Sequence, residues 1–527
     1  MTEWITATPP TPNGDLHLGH LAGPYIAGDV LRRFLAADGR EVLYTTGLDD
    51  HQTYVPVRGL KDGGRKGTEV ADGYGESITR TWLDAEVHFG RVGRPRVDAG
   101  YAGFVQDFFR RLYDGGHIVA REMPLPYCVT CDRWLYEAYV SGGCPHCGGS
   151  SGGNACEPCG RPNYCGDLLD PHCVICGEPA EHRDCERLFF PLAPFAAHLK
   201  RFWGRVAMPP HLRALCERML ADGLPEIAVS HPGDWGVPVP VREFADHRIY
   251  VWFEMAPGYL LEFDPEGVAY PAAGPVQFFG FDNGYFHAVL NPAVFAAYDP
   301  AIPLPRAFVV NEFYRLDGLK FSTSRRHAIW AHEALAEAGS DLIRYHVSSD
   351  RPNGRQTSFS RADLDVTRRA LGRWNDWLER LFLSVHQELG GVVPVDAARG
   401  VAWERLRDRL VRTVADLRDV YDVEGFDPRR AVALLDEVVA SAADFGYVHE
   451  HERDRPGGAA GYRAALVAQL ELAAGLAAWA APILPRGSAK LADLLGIRPD
   501  RRVDTAALCG PPPGTVLAPV TGPVFGD

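Results

Sequence analysis

Lysine is scarce in this chain of 527 residues, and arginine supplies almost all of its positive charge. A lysine that stands inside a motif therefore carries more weight than usual. Acidic residues outnumber basic ones, and the formal net charge is −14, so the chain has no overall basic field that would attract nucleic acid. Binding of nucleic acid would need a local basic patch.

Long apolar runs are also absent. No window approaches eighteen uninterrupted apolar residues, and the opening Met-Thr-Glu-Trp has neither the basic nor the apolar region of a secretion signal. These absences predict a cytoplasmic protein with no membrane span. The length and a hydrophobic content of 46% predict about three domains with large cores.

The cysteines are concentrated in one part of the chain. Eight of the twelve form four C-x-x-C pairs, and without a secretion signal this pattern favours metal binding over disulfides. The stretch is rich in Gly and Pro, so metal ligation would supply its folding energy. Zinc takes four thiolates, and eight thiolates suit two structural sites, although one ion or incidental thiols are alternatives. The pairs are Cys128/Cys131, Cys144/Cys147, Cys156/Cys159 and Cys173/Cys176.

The first motif is a helix start that carries two histidines. A short apolar strand beginning at Trp4 leads through a Pro/Gly/Asn turn to His17, Gly19 and His20. A helix N-terminus has unpaired N–H groups and a partial positive charge, and imidazoles three residues apart face one side, so the segment suits a polyphosphate. Gly19 leaves the backbone bare for a flat base. Two histidines at a helix start are, taken alone, more often surface residues.

Acidic residues follow two predicted strands. Residues 40–47 are predicted to form a strand, and Asp49 follows its end. Residues 276–279 are predicted to form another strand, which leads to Asp282 and His287. Strand, helix and strand over the first fifty residues predict a right-handed βαβ unit, whose ligands bind beyond the carboxyl ends of the strands. Asp49 lies at such an end, although it could simply cap the following helix.

Taken in order, these elements resemble the class I aminoacyl-tRNA synthetases. The run Pro-Asn-Gly-Asp-Leu-His-Leu-Gly-His resembles their HIGH signature, and the first half of this run looks most like methionyl-tRNA synthetase. Further matches are Gly-Leu-Asp-Asp-His at 47–51, Asp-Trp-Gly-Val-Pro-Val-Pro at 234–240 and Tyr-Val-Trp…Gly-Tyr at 250–259. Lys-Phe-Ser-Thr-Ser at 320–324 resembles the KMSKS loop, although a solvated loop alone explains such a pattern more often.

The resemblance implies a fold class. We expect an α/β, Rossmann-like nucleotide-binding domain with an inserted zinc-binding (connective peptide) domain and a C-terminal α-helical bundle. The expected boundaries are 1–115 for the first half of the catalytic domain, 116–235 for the insertion, 236–360 for the second half with the KMSKS-like loop, 361–500 for the bundle and 501–527 for a Pro/Gly-rich tail. The tail is either free or laid as a strap over the catalytic domain.

The resemblance also bears on the cysteines. The family's zinc knuckle matches Cys144, Cys147, Cys156 and Cys159, which leaves the outer two pairs for a second, nested site. Pairing neighbours in order gives a different assignment.

The family's residue roles carry over to matching positions. ATP would be bound by His17, Gly19, His20, Gly280, Asp282, Lys320, Ser322 and Ser324, and His17, His20, Lys320 and Ser322 would be catalytic. The amino acid would be bound by Asp49 at its α-ammonium group and by Thr11, Trp252, Tyr259, His287 and Asn291. Packing alone also explains the seven-residue spacing of Trp252 and Tyr259. The implied cofactors are ATP as substrate, Mg²⁺ and two structural Zn²⁺ ions.

The chain departs from the family at several of these positions. Thr323 stands where the family has its second KMSKS lysine, and Phe281 replaces another lysine. Thr11 and Asn291 replace two aromatic walls of the methionine pocket, which predicts a more open and more polar cavity. In the bundle, Asp454 falls where the family has a tryptophan that contacts the anticodon.

We therefore expect an ATP-dependent amino-acid-activating enzyme that transfers the acyl group to an acceptor other than methionine tRNA. The acceptor would be a small molecule, for example a hydroxylamine-bearing amino acid in N–N bond-forming biosynthesis, with a cupin-type partner enzyme on a separate chain. An ordinary methionyl-tRNA synthetase is the second hypothesis, and an inactive binding or regulatory paralogue is the third.

Overall fold

The computed structural model describes residues 2–153, 155–320, 328–395, 400–499 and 502–526, without the side chain of Lys320. The chain divides into two compact units, and each of them is assembled from three separate segments. The first unit consists of Met1–Asp15, Leu43–Arg80 and Phe89–Glu312, and the second of Leu16–Val42, Thr81–His88 and Phe313–Asp527. The five expected domains remain a prediction.

The elements are numbered here in chain order. The strands are β1 (Glu3–Ala7), β2 (Val42–Gly47), β3 (Arg91–Gly93), β4 (Val119–Cys128), β5 (Arg133–Trp134), β6 (Glu137–Gly143), β7 (Ser150–Gly153), β8 (Leu169–Cys173), β9 (Glu181–Pro191), β10 (Glu226–Ala228), β11 (Ser230–Pro232), β12 (His247–Ile249), β13 (Val276–Gly280), β14 (Ala307–Asn311), β15 (Tyr314–Leu316), β16 (Leu319–Lys320) and β17 (Thr357–Phe359). The α-helices are α1 (Leu18–His20), α2 (Ile26–Ala37), α3 (Tyr54–Lys61), α4 (Gly67–Asp84), α5 (Tyr101–Asp114), α6 (Ala196–Trp203), α7 (Pro210–Asp222), α8 (Val251–Phe263), α9 (Asn291–Tyr298), α10 (Ala331–Ala338), α11 (Ser340–Ser349), α12 (Arg361–Leu389), α13 (Val401–Tyr421), α14 (Pro428–His451), α15 (Gly458–Trp479) and α16 (Pro485–Leu495).

The first unit is built on a five-stranded sheet with the order β14-β13-β1-β2-β3. The pairs β1–β13, β13–β14 and β2–β3 are parallel, so the carboxyl ends of paired strands point to one edge. The apolar side chains of β1 and β13, the two strands inside the sheet next to β14 and β2, are buried, as expected for strands covered on both faces. The predicted α/β fold with a parallel sheet is confirmed.

The helical pattern predicted from about residue 72 to residue 114 is confirmed at both ends and interrupted between them. Helix α4 ends at Asp84, α5 begins at Tyr101, and the edge strand β3 lies between the two helices. Two glycines and a proline, Gly90, Gly93 and Pro95, interrupt the helical pattern there. Leu83, which the same pattern assigns to the core, is 53% exposed.

The cysteine-rich segment folds on small antiparallel sheets. Strands β4 and β9 pair from Val119↔Phe189 to Tyr127↔Glu181 within the sheet β10-β9-β4-β5, and β6 lies between β7 and β8 in another. The antiparallel pairing of these strands places C-x-x-C pairs that are distant in the sequence close to one another.

The second unit contains the predicted helical bundle, formed by α12 to α16. Helix α12 begins with a capping box in which the Ser360 side chain accepts from the Asp363 N–H, and it ends at Gly390, whose φ is 65°. The C-terminal tail packs on this bundle. The Phe525 ring meets the Trp374 ring edge-on at 5.2 Å, and Asn375 exchanges hydrogen bonds with the tail backbone.

Within the described ranges, none of the helices combines the length and the apolar character needed to cross a membrane.

Candidate active site

Asp49 is a buried carboxylate at the carboxyl end of β2. Its Oδ2 accepts a hydrogen bond from the Thr11 hydroxyl at 3.2 Å, and its Oδ1 is buried with no hydrogen-bond partner. Burial raises the pKa of Asp49 well above the ordinary value, and the nearby Glu254 and Glu137 carboxylates add to the rise. An ammonium group would supply Asp49 with a positively charged partner.

A second acidic group lies beside Asp49. The Glu254 carboxylate on α8 contacts His51 Nδ1 at 2.7 Å. Burial alone would lower the pKa of His51, but the attraction of the Glu254 carboxylate raises it above its ordinary value. The sequence motif contained Glu254 but gave no sign of this contact, which joins two segments about 200 residues apart.

His287 lies deeper in the same unit, on the helical turn Phe286–Leu290. Its Nε2 is 3.1 Å from the Thr8 hydroxyl, its Nδ1 is 3.1 Å from Gln277 Oε1, and its ring stacks on Phe279 at 4.2 Å. Burial lowers the pKa of His287 to about 3, so the ring is neutral at pH 7. A fixed, neutral imidazole of this kind can orient a ligand without adding charge.

The remaining residues predicted to bind the amino acid are buried around these groups. The Trp252 ring stacks on the Phe286 ring with their centroids 3.8 Å apart. Tyr259, two turns further along α8, packs near the His287 ring. Both belong to the main hydrophobic core, so their packing role is established. Asn291 is 4% exposed, and its Oδ1 has no hydrogen-bond partner.

A cavity of about 380 Å³ opens beside Asp49 and Tyr259. Four carboxyl groups and a single arginine contribute to its walls, which gives it an acidic character. One of them, Glu262, was not found by sequence reasoning, because it stands in an otherwise apolar helix and its burial depends on the strands packed against it. It accepts the Thr45 hydroxyl at 2.8 Å, and burial raises its pKa to about 8. The ionisable residues that line the cavity are Asp49, Arg91, Asp98, Tyr101, Glu254, Tyr259 and Glu262.

The predicted adenosine-binding turn also lies in the first unit. Gly280 ends β13, and a Cβ at this position would stand 2.6 Å from Asp282 Oδ1, so a larger residue there would displace the Asp282 carboxylate. Phe281 turns toward His211, with ring centroids 5.0 Å apart.

The two histidines of the first motif lie in the second unit. His17 precedes α1, its N–H donates to His20 Nδ1 at 3.1 Å, and the two rings stack at 3.8 Å. A Cβ on Gly19 would lie 2.9 Å from His17 Cε1, which gives a steric reason for the glycine between them. Burial lowers the pKa of His20 to about 4, so His20 is neutral at pH 7.

The KMSKS-like segment begins in the same unit. Lys320 ends β16, and its backbone lies opposite that of Arg315 on β15. Ser322 and Ser324, which the motif places with Lys320, lie outside the described residues. Where the description resumes, Leu18 N–H donates to the Ile329 carbonyl and Ala331 N–H donates to the Leu16 carbonyl. The chain on the far side of the segment therefore runs beside the histidine motif.

The cysteine pairs come together in two groups of four. In each group the sulfur atoms all lie within 4.8 Å of one another, as the nested arrangement requires. Tetrahedral zinc with Zn–S bonds of about 2.3 Å places its sulfurs about 3.8 Å apart, and four of the contacts here are 3.5 to 3.9 Å. Each group could therefore hold a metal ion. The groups are Cys128, Cys131, Cys173 and Cys176, and Cys144, Cys147, Cys156 and Cys159.

The backbone around the cysteines supports this geometry. The residue after the second cysteine of each pair has a positive φ, and in three of the four pairs it is a glycine. Cys165 and Cys185 lie outside both groups, and their thiols donate to backbone carbonyls.

Comparisons with known proteins agree with this architecture. The family model of the class I tRNA synthetases (M) matches residues 3–370. The methionine–tRNA ligase of Thermomicrobium roseum is 31% identical over 93% of this chain and 86% of its own length. That of Pyrococcus abyssi is 31% identical over 74% of this chain, which spans 58% of that longer protein. Mycobacterium tuberculosis methionyl-tRNA synthetase bound by methionyl-adenylate shares the fold, with a TM-score of 0.82 over the whole of both chains at 22% identity.

The chain therefore belongs to the class I tRNA synthetases. Within the class it is a methionine–tRNA ligase-like enzyme.

Proposed function

We propose that the chain activates an amino acid with ATP, forming an aminoacyl-adenylate and pyrophosphate, and then transfers the aminoacyl group to tRNA. The observation that carries the proposal is Asp49, a buried carboxylate with an unpartnered oxygen beside a cavity of about 380 Å³. An amino acid's ammonium group would compensate this charge and fix the position of its carboxylate.

Each predicted residue has a part in this proposal. Asp49 would hold the ammonium group, with Trp252, Tyr259, His287, Thr11 and Asn291 around the side chain. His17 and His20 would hold the phosphates of ATP, with Gly280 and Asp282 at adenosine and Lys320 and Ser322 at the departing pyrophosphate. The chemistry needs positioning and charge stabilisation more than covalent participation by the protein. Mg²⁺ would enter with ATP, the cysteine groups would hold structural zinc, and the reaction would take place in the cytoplasm.

The comparisons favour tRNA as acceptor over the small molecule expected from the sequence. The expected cupin-type partner has no support among them. The polar replacements Thr11 and Asn291 would bear on the amino acid rather than on the acceptor, because the resemblance assigns both positions to the side-chain pocket. Methionine therefore heads the panel of amino acids to be tested, as the substrate named for the relatives.

The test is amino-acid-dependent ATP–pyrophosphate exchange with the twenty common amino acids, followed by charging assays with and without tRNA. We expect exchange with one amino acid and acylation of tRNA by it. Exchange without acylation of any tRNA would move the proposal to a small-molecule acceptor. A lack of exchange with every amino acid would contradict it.

A further inference from the structure

One of the two cysteine groups packs directly against the predicted adenosine-binding turn. This inner group consists of Cys144, Cys147, Cys156 and Cys159. Gly160, the residue after its last cysteine, is buried, and a Cβ added there would lie 3.3 Å from Phe281 Cε1 and 3.0 Å from Leu215 Cδ2. Phe281 opens the helical turn Phe281–Asn283, which follows the end of β13. The contact therefore joins the inserted segment to the end of a strand of the main sheet.

Helix α7 packs against both partners of this contact. Leu215 on α7 is fully buried, and the His211 ring, one turn earlier, is 5.0 Å from the Phe281 ring between centroids. Arg161, the next residue of the cysteine loop, forms an ion pair with Asp222 at the end of the same helix. Because protein interiors are close-packed, a shift of the loop toward this helix would displace the Phe281 ring.

The two residues predicted to bind adenosine are the sequence neighbours of Phe281. Gly280 precedes it and Asp282 follows it, and a Cβ at Gly280 would lie 2.6 Å from Asp282 Oδ1. The planar peptide groups on both sides of Phe281 make these neighbours move with its backbone. The other end of the turn is also tightly packed, since a Cβ at Gly284 would lie 2.6 Å from Leu212 Cδ1 of α7.

We propose that Phe281 is a positioning residue for ATP, through which the inner cysteine group fixes the turn that would bind adenosine. The inference rests on the proposed function and adds to it a role for the inserted segment. Phe281 acts through Gly280 and Asp282 and does not have to contact the nucleotide. The lysine of related sequences could not fill this place in the same way, because its ammonium group would lose water against Leu215.

Two glycines of the inner cysteine group provide a matched test. Gly148 and Gly160 each follow the second cysteine of a C-x-x-C pair, and their φ angles are 73° and 72°. Alanine at either position therefore carries a similar backbone strain. A Cβ at Gly148 would meet no described atom within 4 Å, whereas a Cβ at Gly160 would meet Phe281 and Leu215. Gly148→Ala thus controls for strain and for any loss of metal, and only Gly160→Ala displaces the turn.

ATP binding and turnover are measured separately. Calorimetric titration with MgATP gives the Kd, and pyrophosphate exchange gives kcat and the KM values for ATP and for the amino acid. We expect Gly160→Ala to raise the Kd and the KM for ATP several-fold relative to Gly148→Ala, with similar kcat, amino-acid KM and zinc content in the two variants. Hydrogen exchange should become faster across residues 278–286 in Gly160→Ala alone. A purely structural contact would lower the melting temperature without separating ATP from the amino acid.

Substitutions of Phe281 test the contact from its other side. Phe281→Ala should raise the Kd for MgATP several-fold, and Phe281→Leu, which keeps an apolar side chain, should restore most of the affinity. Adding Gly160→Ala to Phe281→Ala should cause little further loss, because the ring that the new methyl group would meet is absent.

The outcomes separate this inference from the proposed function. Equal Kd values in Gly160→Ala and Gly148→Ala, or an unchanged Kd in Phe281→Ala, would overturn the positioning role and leave the proposed function in place. A wild-type chain that binds no MgATP would overturn both.

Discussion

At the scale of single residues, the main feature of the candidate active site is a set of buried carboxyl groups with few positively charged neighbours. Asp49 and Glu262 both have pKa values raised chiefly by burial, and both line the same cavity. Their surroundings are poor in positive charge, since Arg91 is the single arginine among the cavity's lining residues. The two residues differ in that Asp49 lies at a strand end, where ligands bind, whereas Glu262 is tied to Thr45.

Asp49→Asn tests the first of these carboxylates. We expect the kcat/KM for the amino acid in pyrophosphate exchange to fall by about 100-fold or more, because a buried ammonium would lose its counter-charge. The melting temperature should not fall, since a buried charge is removed. Asp107→Asn, an exposed carboxylate on α5 paired only with Arg110, is the matched control and should behave as the wild type. An unchanged kcat/KM in Asp49→Asn would remove this residue from the site.

Glu262→Gln tests the second carboxylate through stability. A carboxyl group whose pKa is raised from 4.5 to about 8 in the folded state contributes stability that is lost as pH rises toward 8. Glutamine does not titrate and can still accept the Thr45 hydroxyl. The variant should therefore gain on the wild type by roughly 3 kcal/mol between pH 5.5 and pH 8.5. Denaturant unfolding at the two pH values measures this difference, and a pH-independent difference would contradict the raised pKa.

The sequence predicted some of these residues and could not predict others. Asp49 and His287 each follow a predicted strand in the sequence, and polar residues after a buried strand are a local pattern that predicts a ligand site. Glu254, Gln277 and Glu262 acquire their roles from partners that are distant in the chain: His51, His287 and Thr45. A single sequence contains no local pattern that records such contacts.

At the scale of elements, the short helix α1 is arranged around its two histidines. The His17 N–H is satisfied by the His20 ring, and the stacked rings leave room only for a glycine between them. This arrangement fixes both imidazoles at the start of the helix, where a phosphate would meet unpaired N–H groups.

His20→Ala should reduce pyrophosphate exchange to background while the melting temperature changes by no more than a few degrees, because His20 is not part of the hydrophobic core. His88→Ala, an exposed histidine of the same unit, is the control and should keep full exchange. If exchange in His20→Ala equals that of the wild type, the phosphate-binding role is wrong.

The metal content of the two cysteine groups can also be tested. We expect two zinc ions per chain by mass spectrometry of metals. Cys156→Ser should lose the inner ion and Cys173→Ser the outer one, so each variant should retain one ion. Cys216→Ser, a buried thiol outside both groups, should retain two. Loss of both ions in either single variant would argue that the two sites are coupled, and a wild-type content below two would contradict the proposal that each group holds zinc.

At the scale of the whole molecule, the second unit is assembled from segments that are far apart in the chain, and one arginine ties them together. Arg344 on α11 is fully buried, pairs with Asp29 of α2 at 2.9 Å and donates to the carbonyls of Ala85, Pro482 and Ile483. Burial alone would raise the pKa of Asp29, but the arginines around it lower it.

Arg344→Met should destabilise the protein by about 3–5 kcal/mol, because it leaves three buried carbonyls without this donor and removes one of the three arginines that pair with Asp29. Arg361→Met, which removes an exposed pair with Glu337, should cost less than about 1 kcal/mol. Thermal and urea unfolding measure both variants. Similar losses in the two variants would show that the buried network contributes no more than a surface pair.

Much of the architecture follows from the sequence, because strand–helix periodicity and ordered motifs are local. The parallel sheet and the bundle of α12 to α16 are confirmed. The helical pattern from residue 72 to residue 114 is confirmed for α4 and α5 but not between them, since an edge strand as short as β3 has too little pattern of its own to be predicted. The sequence also does not predict that each unit is assembled from three segments, because this assembly depends on long-range contacts such as Arg344–Asp29.

The nesting of the cysteine groups has a consequence for synthesis. The inner sulfurs are only 9 and 15 residues apart across the group, whereas the outer ones are separated by 42 and 48. As the nascent polypeptide leaves the ribosome, the inner group is complete while Cys128 and Cys131 still wait for partners that have not been translated. The earliest thiols to emerge are thus the last to be enclosed, and they face the cell's oxidants and competing metals for longest.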